Sequence, residues 1–294
     1  MAAIKSKFTF KIIFRIISFT SIVLLIGLCC RGREYYMMPL QERPRHADYA
    51  SLKPGGMAGH GFGVIGGSMI LLTFCYTARK RWKPLKKVGT IPQWLDIHIY
   101  FGLMGPALVV LHTSFKINGL IAIAFWAMIA VVLSGFVGRF LIRQIPRNIK
   151  GRKLSLSEIQ ERQQNLREQL HRDYGISDTT LKAIEMTAMQ GIHIKMKFPE
   201  FVTRVLAGNL SCRYRIRHIL NAVNEQGIST LELHQLYRLS CEEAILTRNI
   251  QLLKTSQNFF KHWHRIHKPF TTVLIVIMFI HIAVSLLLGY RWIF

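Results

Sequence analysis

The sequence is poor in acidic residues. It has 15 Asp and Glu against 39 Lys and Arg, which gives a formal charge of +24 at pH 7. In a soluble protein such an excess would indicate nucleic-acid binding. Here much of the charge lies beside long apolar segments, where positive residues hold loops on the cytoplasmic side of a membrane. The charge therefore informs on topology, and we expect no nucleic-acid partner.

Metal-binding cysteine motifs and nucleotide motifs are also missing. The five cysteines (Cys29, Cys30, Cys75, Cys212 and Cys241) lack the CxxC spacing of a zinc, iron–sulfur or covalent-haem site. The polar block at 143–266 contains neither GxGxxG nor GxxxxGK, the glycine-rich loops that bind phosphates of dinucleotides and ATP. We therefore expect no flavin, nicotinamide or ATP site in this block.

Apolar residues are grouped into five long runs. These are Ile12–Cys30, Phe62–Thr77, Leu95–Ser114, Ile117–Ile142 and Phe270–Tyr290. Each approaches the ~20 residues that a helix needs to cross a bilayer. The first run follows several lysines, as in a secretory signal, but no small-x-small cleavage site follows Cys30, so we expect a retained helix. The fold class predicted is an all-α integral membrane protein with about five transmembrane helices.

The basic residues predict the orientation of these runs. Lys and Arg crowd the links after runs two and four, whereas the turn between runs three and four holds only Lys116. The links after runs two and four should therefore be cytoplasmic, and the turn between runs three and four should lie outside. The predicted organisation is a transmembrane helix at 1–30, an outer loop at 31–59, transmembrane helices at 60–142, a basic helical cytoplasmic insertion at 143–266, and a last transmembrane helix at 267–294.

The insertion should be helical. The segment SLSEIQERQQNLREQLHRDYG has a Ser-x-x-Glu start, spaced apolar residues and a glycine stop, which predict an amphipathic helix. Further helices are expected near 178–190, 200–223 and 229–260, with breaks at Gly191 and Gly227. We interpret the block as a docking or packing element.

Four histidines stand out because ionisable groups inside a membrane helix are costly and usually functional. His98 and His112 lie in run three, and His267 and His281 begin and interrupt run five. Each pair is 14 residues apart, which is four helical turns less about 40° and roughly 21 Å along the axis. One helix thus offers two imidazoles on one face, one near each side of the membrane.

The topology pairs these histidines. Runs three and five should cross in the same direction, so His98 should face His267 near the cytoplasm and His112 should face His281 nearer the outside. Two such bis-imidazole pairs in a four-helix core are what two low-spin b-type haems require. The alternative for any one histidine is a hydrogen bond between helices.

Neighbouring residues are candidates for haem contact. Gly102 and Gly105 follow His98 by four and seven residues and would let a haem plane approach the backbone, although close helix packing is the alternative. Cationic side chains lie where propionates would need them, and simple interfacial anchoring is the alternative for these. They are Arg265 and Lys268 at the inner level and Lys116 and Arg291 at the outer level.

The segments HIYFGLMGPALVVLH and HKPFTTVLIVIMFIH resemble the bis-histidine di-haem cytochromes b, a group that includes quinol-oxidising cytochromes b and ferric-reductase-like transmembrane domains. The resemblance covers mainly 60–142 and 267–290, and it implies His98, His112, His267 and His281 as axial ligands. It also implies electron transfer between a quinol or a cytoplasmic redox partner and a carrier on the other side. The flavin and nicotinamide domain of ferric reductases is missing.

His60, in AGHGFGVIGG, should stand at the outer end of run two. It would accept a quinol proton, bind a propionate or ligate a further cofactor; the alternative is an interfacial histidine on a glycine packing face.

Together these features predict a subunit of a larger redox complex in the bacterial cytoplasmic membrane, with two b-type haems and with quinone or a redox protein as partner. A metal or proton transporter that uses the histidines, and a structural anchor subunit, are the rival functions.

Overall fold

The computed structural model describes residues 2–143, 156–192, 196–223 and 230–289, and these are α-helical with no strand among them. The helices are α1 (Ala2–Arg31), α2 (Arg33–Met37), α3 (Tyr49–Leu52), α4 (Met57–Leu72), α5 (Cys75–Arg81), α6 (Ile91–Thr113), α7 (Gly119–Arg143), α8 (Leu156–Tyr174), α9 (Asp178–Met189), α10 (Phe198–Val223) and α11 (Thr230–Leu287). Short 3-10 turns occur at Arg43–Arg45 and Pro84–Lys87.

Five segments are long and apolar enough to cross a membrane, as the sequence predicts. They are Thr9–Arg31, Tyr49–Arg81, Ile91–Thr113, Gly119–Arg143 and Leu233–Leu287. Many of their apolar side chains point outward; Phe19, for example, is 70% exposed. Such surfaces suit lipid and not water. These five segments and their exposed apolar side chains indicate a membrane protein.

Two predicted boundaries differ from the structure. The second run begins earlier, at Met57, and its helix ends at Leu72 before a short continuation from Cys75. The predicted separate helices near 229–260 and from Phe270 are instead one helix of 58 residues, α11, which passes through Pro269. The polar stretch at 261–268 interrupts the hydrophobic pattern, but it contains no glycine that would end a helix.

The chain forms two compact units. The first contains the described residues up to Gly135 and those from His267 onward, and the second is Phe136–Ile266. The insertion was predicted to begin at 143, whereas the second unit begins at Phe136 and therefore also includes the last turns of α7. Each unit has apolar clusters of its own.

In the first unit, α4 and α6 run antiparallel in very close contact. Gly66 and Gly105 form the crossing, since a Cβ on Gly66 would lie 2.7 Å from the carbonyl oxygen of Gly105. Seven residues to either side, α6 meets α4 again: His112 bonds to Gly59 and His98 to Thr73. The small residues at the crossing bring both histidines within reach of the α4 backbone.

The loop before α3 and the turn after α6 lie at the same end of this unit. The buried Arg43 donates to the carbonyl oxygens of Met38, Tyr36 and Ser114, and the Ser114 hydroxyl donates to Leu52 O at 2.9 Å. Ser114 itself adopts the left-handed conformation, with φ of 46°. These contacts bring segment 31–59 and the turn after His112 together, while the side of the membrane on which they lie stays a prediction.

The second unit is a helical bundle with a buried polar seam. α8 ends as predicted, at Gly175 with φ of +62°, and Gly191 likewise has positive φ. Glu243 is completely buried and accepts from Arg167 Nε at 3.0 Å and from Thr247. Burial lowers the pKa of Arg167, but its bonds to Glu185 and Glu243 outweigh this, so the net pKa is raised. Ser155, the predicted start of α8, and Gly227 lie outside the described residues.

Candidate cofactor site

His112, near the end of α6, is held in a fixed orientation. Its Nδ1 lies 2.8 Å from the carbonyl oxygen of Gly59, so Nδ1 carries the proton and donates. The ring lies directly over Gly63, where an added Cβ would come within 2.7 Å of Nδ1. The other ring nitrogen, Nε2, is on nearly the opposite side of the ring and therefore points away from α4.

Three imidazoles line one cavity at this level. The ring centre of His112 lies 6.3 Å from that of His281 on α11 and 6.3 Å from that of His60 in the first turn of α4. The cavity has a volume of about 590 Å³ and a largely apolar lining from α4, α6, α7 and α11. This volume falls in the range of about 300–1,000 Å³ typical of cofactor and ligand sites.

His98, two turns from the start of α6, is held in a similar way at the other level. Its Nδ1 lies 2.9 Å from the carbonyl oxygen of Thr73, which follows the last residue of α4. The same carbonyl oxygen also accepts from the backbone N–H of Tyr76 at 3.3 Å, so the imidazole is its second and closer donor. The ring of Tyr76 lies beside it, with ring centres 5.3 Å apart.

His267 is oriented by a side chain on α7. Its Nδ1 lies 2.6 Å from the hydroxyl oxygen of Ser134, and that hydroxyl donates its own proton to Val131 O at 2.9 Å. The hydroxyl oxygen therefore accepts from the imidazole, which places the ring proton on Nδ1. In His98, His112 and His267 alike, Nδ1 makes the hydrogen bond, so Nε2 is the acceptor nitrogen of the neutral ring.

The register of α6 and α7 places His267 at the depth of His98. Ser134 lies 15 residues after Gly119, the first residue of α7, and His98 lies 15 residues before Thr113, the last residue of α6. A short turn joins these two helices, so the two positions are level. His267, bonded to Ser134, is thus level with His98, and α11 runs parallel to α6.

The remaining predicted residues divide into several groups. An added Cβ on Gly102 meets open space, whereas Gly105 packs against Gly66, so Gly105 serves helix packing. Lys116 is among the residues that line the cavity, and Arg265 and Lys268 are exposed on α11. Arg291 lies outside the described residues.

No family model, curated protein or solved structure matches this chain. Within the described ranges, no three His, Cys, Asp or Glu side chains converge as they would around a bare metal ion. A haem supplies four nitrogen ligands itself and requires only two side chains, so a bis-histidine site is a different arrangement.

Sequence reasoning missed the groups that orient the imidazoles. They are the carbonyl oxygens of Gly59 and Thr73, the Ser134 hydroxyl, and Gly63 under the His112 ring. Backbone carbonyls carry no residue-type signal. The glycine-rich segment AGHGFGVIGG was a signal for close packing, but it did not reveal the histidine as the packing partner.

Proposed function

We propose that this chain carries electrons across a membrane on two b-type haems, each held between a histidine of α6 and a histidine of α11. The observation that carries the proposal is the pair His112 and His281, which line one apolar cavity from two helices with their ring centres 6.3 Å apart. The chain would act as the electron-transfer subunit of a redox complex.

The spacing of this pair suits two ligands of one iron. Imidazole nitrogens bind metal ions at about 2.0 Å. A five-membered ring with bonds of about 1.33 Å has its centre roughly 1.15 Å from each nitrogen, so two rings across one iron have centres about 6.3 Å apart. The ring centres of His112 and His281 are 6.3 Å apart.

His60 shows the same ring spacing to His112 but is the poorer ligand partner. The Nδ1 bond from His112 to Gly59 directs Nε2 away from α4, the helix that carries His60. His281 lies on a different helix, α11, so this direction of Nε2 favours His281 over His60 as the partner ligand. In this proposal His60 and Lys116 lie at the rim, where they suit the propionates of a haem or the oxygen of a quinol.

The bonded Nδ1 atoms further support ligation. Metal-binding histidines almost always donate the other ring N–H to a carbonyl, carboxylate or similar acceptor, which fixes the tautomer and the ring orientation. His98, His112 and His267 all do so. The shared depth of His98 and His267 makes them the second pair.

The haems would supply one-electron storage at the two levels, and the protein would supply orientation and an apolar surrounding that sets their potentials. Electrons would enter or leave through quinone in the bilayer or through a redox protein. The proposed setting is the bacterial cytoplasmic membrane. The rival functions are a histidine-based transporter and a structural anchor, and the test below distinguishes electron transfer on haem from both.

The test is an absorption spectrum of the purified chain, expressed with ample haem supply, before and after dithionite reduction. We expect a b-type α-band near ~560 nm and about two extractable haems per chain. A protein that is folded, monodisperse and colourless would refute the proposal and leave the transporter and anchor functions.

The proposed orientation has a separate test. The second unit is proposed to face the cytoplasm, since Lys and Arg flank the links that lead to it. Asn165→Cys and Arg45→Cys place thiols at exposed positions of the second unit and the outer loop. An impermeant maleimide added to intact cells should label the Arg45→Cys variant and leave the Asn165→Cys variant unlabelled. Both thiols are introduced in a Cys29→Ser/Cys30→Ser background, because Cys29 and Cys30 are exposed at the end of α1 and would themselves be labelled from outside. Cys212 gives little background, because it is buried and burial raises the pKa of its thiol.

A further inference from the structure

The last residues of α5 and the link from α5 to α6 form a dense, exposed basic surface. Its exposed cations are Lys80, Arg81, Lys83, Lys86 and Lys87, here called the basic loop. The sequence contains no acidic residue between Asp48 and Asp96, so no carboxylate of this stretch neutralises them. Trp82, in the middle of the loop, is 65% exposed.

The shape of the basic loop is fixed from within. Arg79 is buried and donates to three carbonyl oxygens, those of Val88 at 2.9 Å, Lys86 at 2.6 Å and Gly89 at 3.0 Å. The indole N–H of Trp94 also donates to Val88 O, at 2.8 Å. Arg79 thus binds backbone carbonyl groups, and these bonds fix a defined turn with the five cations of the basic loop on its outside.

Two contacts connect this surface to His98. The ammonium group of Lys80 lies 4.2 Å from the ring centre of Tyr76, a cation–π contact. The Tyr76 ring in turn lies beside the His98 ring, with centres 5.3 Å apart. The basic loop is therefore the solvent-facing surface next to the proposed inner ligand.

We propose that the basic loop is the docking surface for an acidic one-electron carrier protein. The proposal rests on the proposed haem function and specifies where the partner of the inner level binds. Complementary charge steers such carriers to the surface nearest their electron acceptor or donor, and brief encounters of this kind rely on charge more than on buried area. An exposed tryptophan inside the charged surface supplies an apolar contact of the type found at interface centres.

Anionic lipid headgroups are the rival occupant. Polybasic segments that bind lipid require charge near the membrane and no defined backbone shape. The buried Arg79 with its three carbonyl bonds, and the Tyr76 contact to His98, are features that lipid attraction does not need. These observations favour a protein partner.

The experiment measures binding of an acidic flavodoxin to the full chain in nanodiscs of neutral lipid, at several salt concentrations. The test variant is K80Q/K83Q/K86Q/K87Q. The matched control, R172Q/K182Q/K197Q/R217Q, removes four exposed cations from the second unit. We expect the loop variant to bind about tenfold more weakly, with a flatter salt dependence, and the control to change less than twofold. The haem reduction rate by reduced flavodoxin should fall in parallel, while reduction by dithionite stays unchanged.

Equal binding by wild type and loop variant would overturn the proposal. So would a loss confined to the control variant, which would move docking to the second unit, or a wild type that shows no salt-dependent binding at all. A loop effect seen only in discs with anionic lipid would assign the surface to lipid. Haem is quantified on the same samples. Because binding is read without haem chemistry, a colourless protein that still binds flavodoxin refutes the proposed function and leaves the docking surface in place.

Discussion

The two histidine levels of the first unit are built differently, although the same 14-residue spacing generates both. At the level proposed to be the outer one, His112 and His281 line one cavity with their ring centres 6.3 Å apart, and the ring of His112 rests on a glycine. At the inner level, His98 and His267 are each tied by Nδ1 to a different neighbouring helix, α4 and α7. The outer level thus combines one hydrogen bond, from His112 to Gly59, with small residues that leave room, whereas at the inner level both histidines are oriented by hydrogen bonds.

This difference indicates that equal spacing on one helix does not produce equal sites. The antiparallel crossing of α4 and α6 at Gly66 and Gly105 supplies a backbone acceptor at both levels. In the proposed pairing the second imidazole at each level comes from α11, and His267 is bonded to a side chain, Ser134, that mutation can remove. Substitutions at the two levels should therefore have separable effects.

The largest expected effect is loss of the outer haem. His112→Ala and His281→Ala should each lower the haem content from about two to about one per chain, because the site loses one of the two axial ligands on which its hold on the haem would depend. Pyridine haemochrome assay and redox titration measure the content and the midpoint potential of the haem that remains. His60→Ala is the matched control and should retain both haems. A His60 variant that loses one while His281→Ala keeps two would reassign the ligand.

Of comparable size is the loss of the inner haem. His98→Ala and His267→Ala should remove one haem each, and the survivor should have the same midpoint potential in both variants. This potential should differ from that of the survivor in the His112 and His281 variants. The grouping follows from parallel α6 and α11. Grouping of His98 with His281, or retention of two haems in all four variants, would show the pairing to be wrong.

An intermediate effect should follow from filling the space under His112. Gly63→Ala puts a Cβ within 2.7 Å of the imidazole, so the ring must move. Overpacking of this kind costs about 1–3 kcal/mol, which corresponds to roughly 5- to 150-fold weaker retention of the outer haem. Haem loss to apomyoglobin measures the retention.

Gly67→Ala is the control for this change. Gly67 lies one turn further along α4, where an added Cβ meets only Met278 Sδ at 4.0 Å. It should leave both haems in place. If Gly63→Ala also leaves the outer haem and its spectrum unaltered, then the contact with Gly63 does not position His112.

The sequence predicted the five membrane spans because hydrocarbon thickness demands long apolar runs, and this demand is local to each segment. It likewise predicted the end of α8 at Gly175, where positive φ favours glycine. It failed at α11. Polarity at 261–268 ends an apolar run, but a helix ends only where its backbone bonds are lost, and Pro269 removes just one N–H.

The candidate histidines were predictable from spacing, whereas their orienting groups were not. Gly59 and Thr73 act through carbonyl oxygens, which every residue possesses, and their role arises only from the α4 and α6 register. Ser134 is one of several hydroxyl residues in the apolar runs, and nothing in its local sequence distinguishes it. The close approach that assigns these roles is a tertiary property.

The smallest expected effect is the one that most directly probes how the inner level is built. Ser134→Ala removes the acceptor of His267 Nδ1–H. A hydrogen bond of this kind contributes about 0.5–1.5 kcal/mol, so we expect roughly 2- to 10-fold faster loss of the inner haem and a shift of its potential to more positive values, since the ligand becomes less electron-rich. Ser134→Thr retains the hydroxyl and should behave as wild type. A change in the outer haem instead, or equal behaviour of the Ala and Thr variants, would show that Ser134 serves packing alone and that His267 is oriented by other contacts.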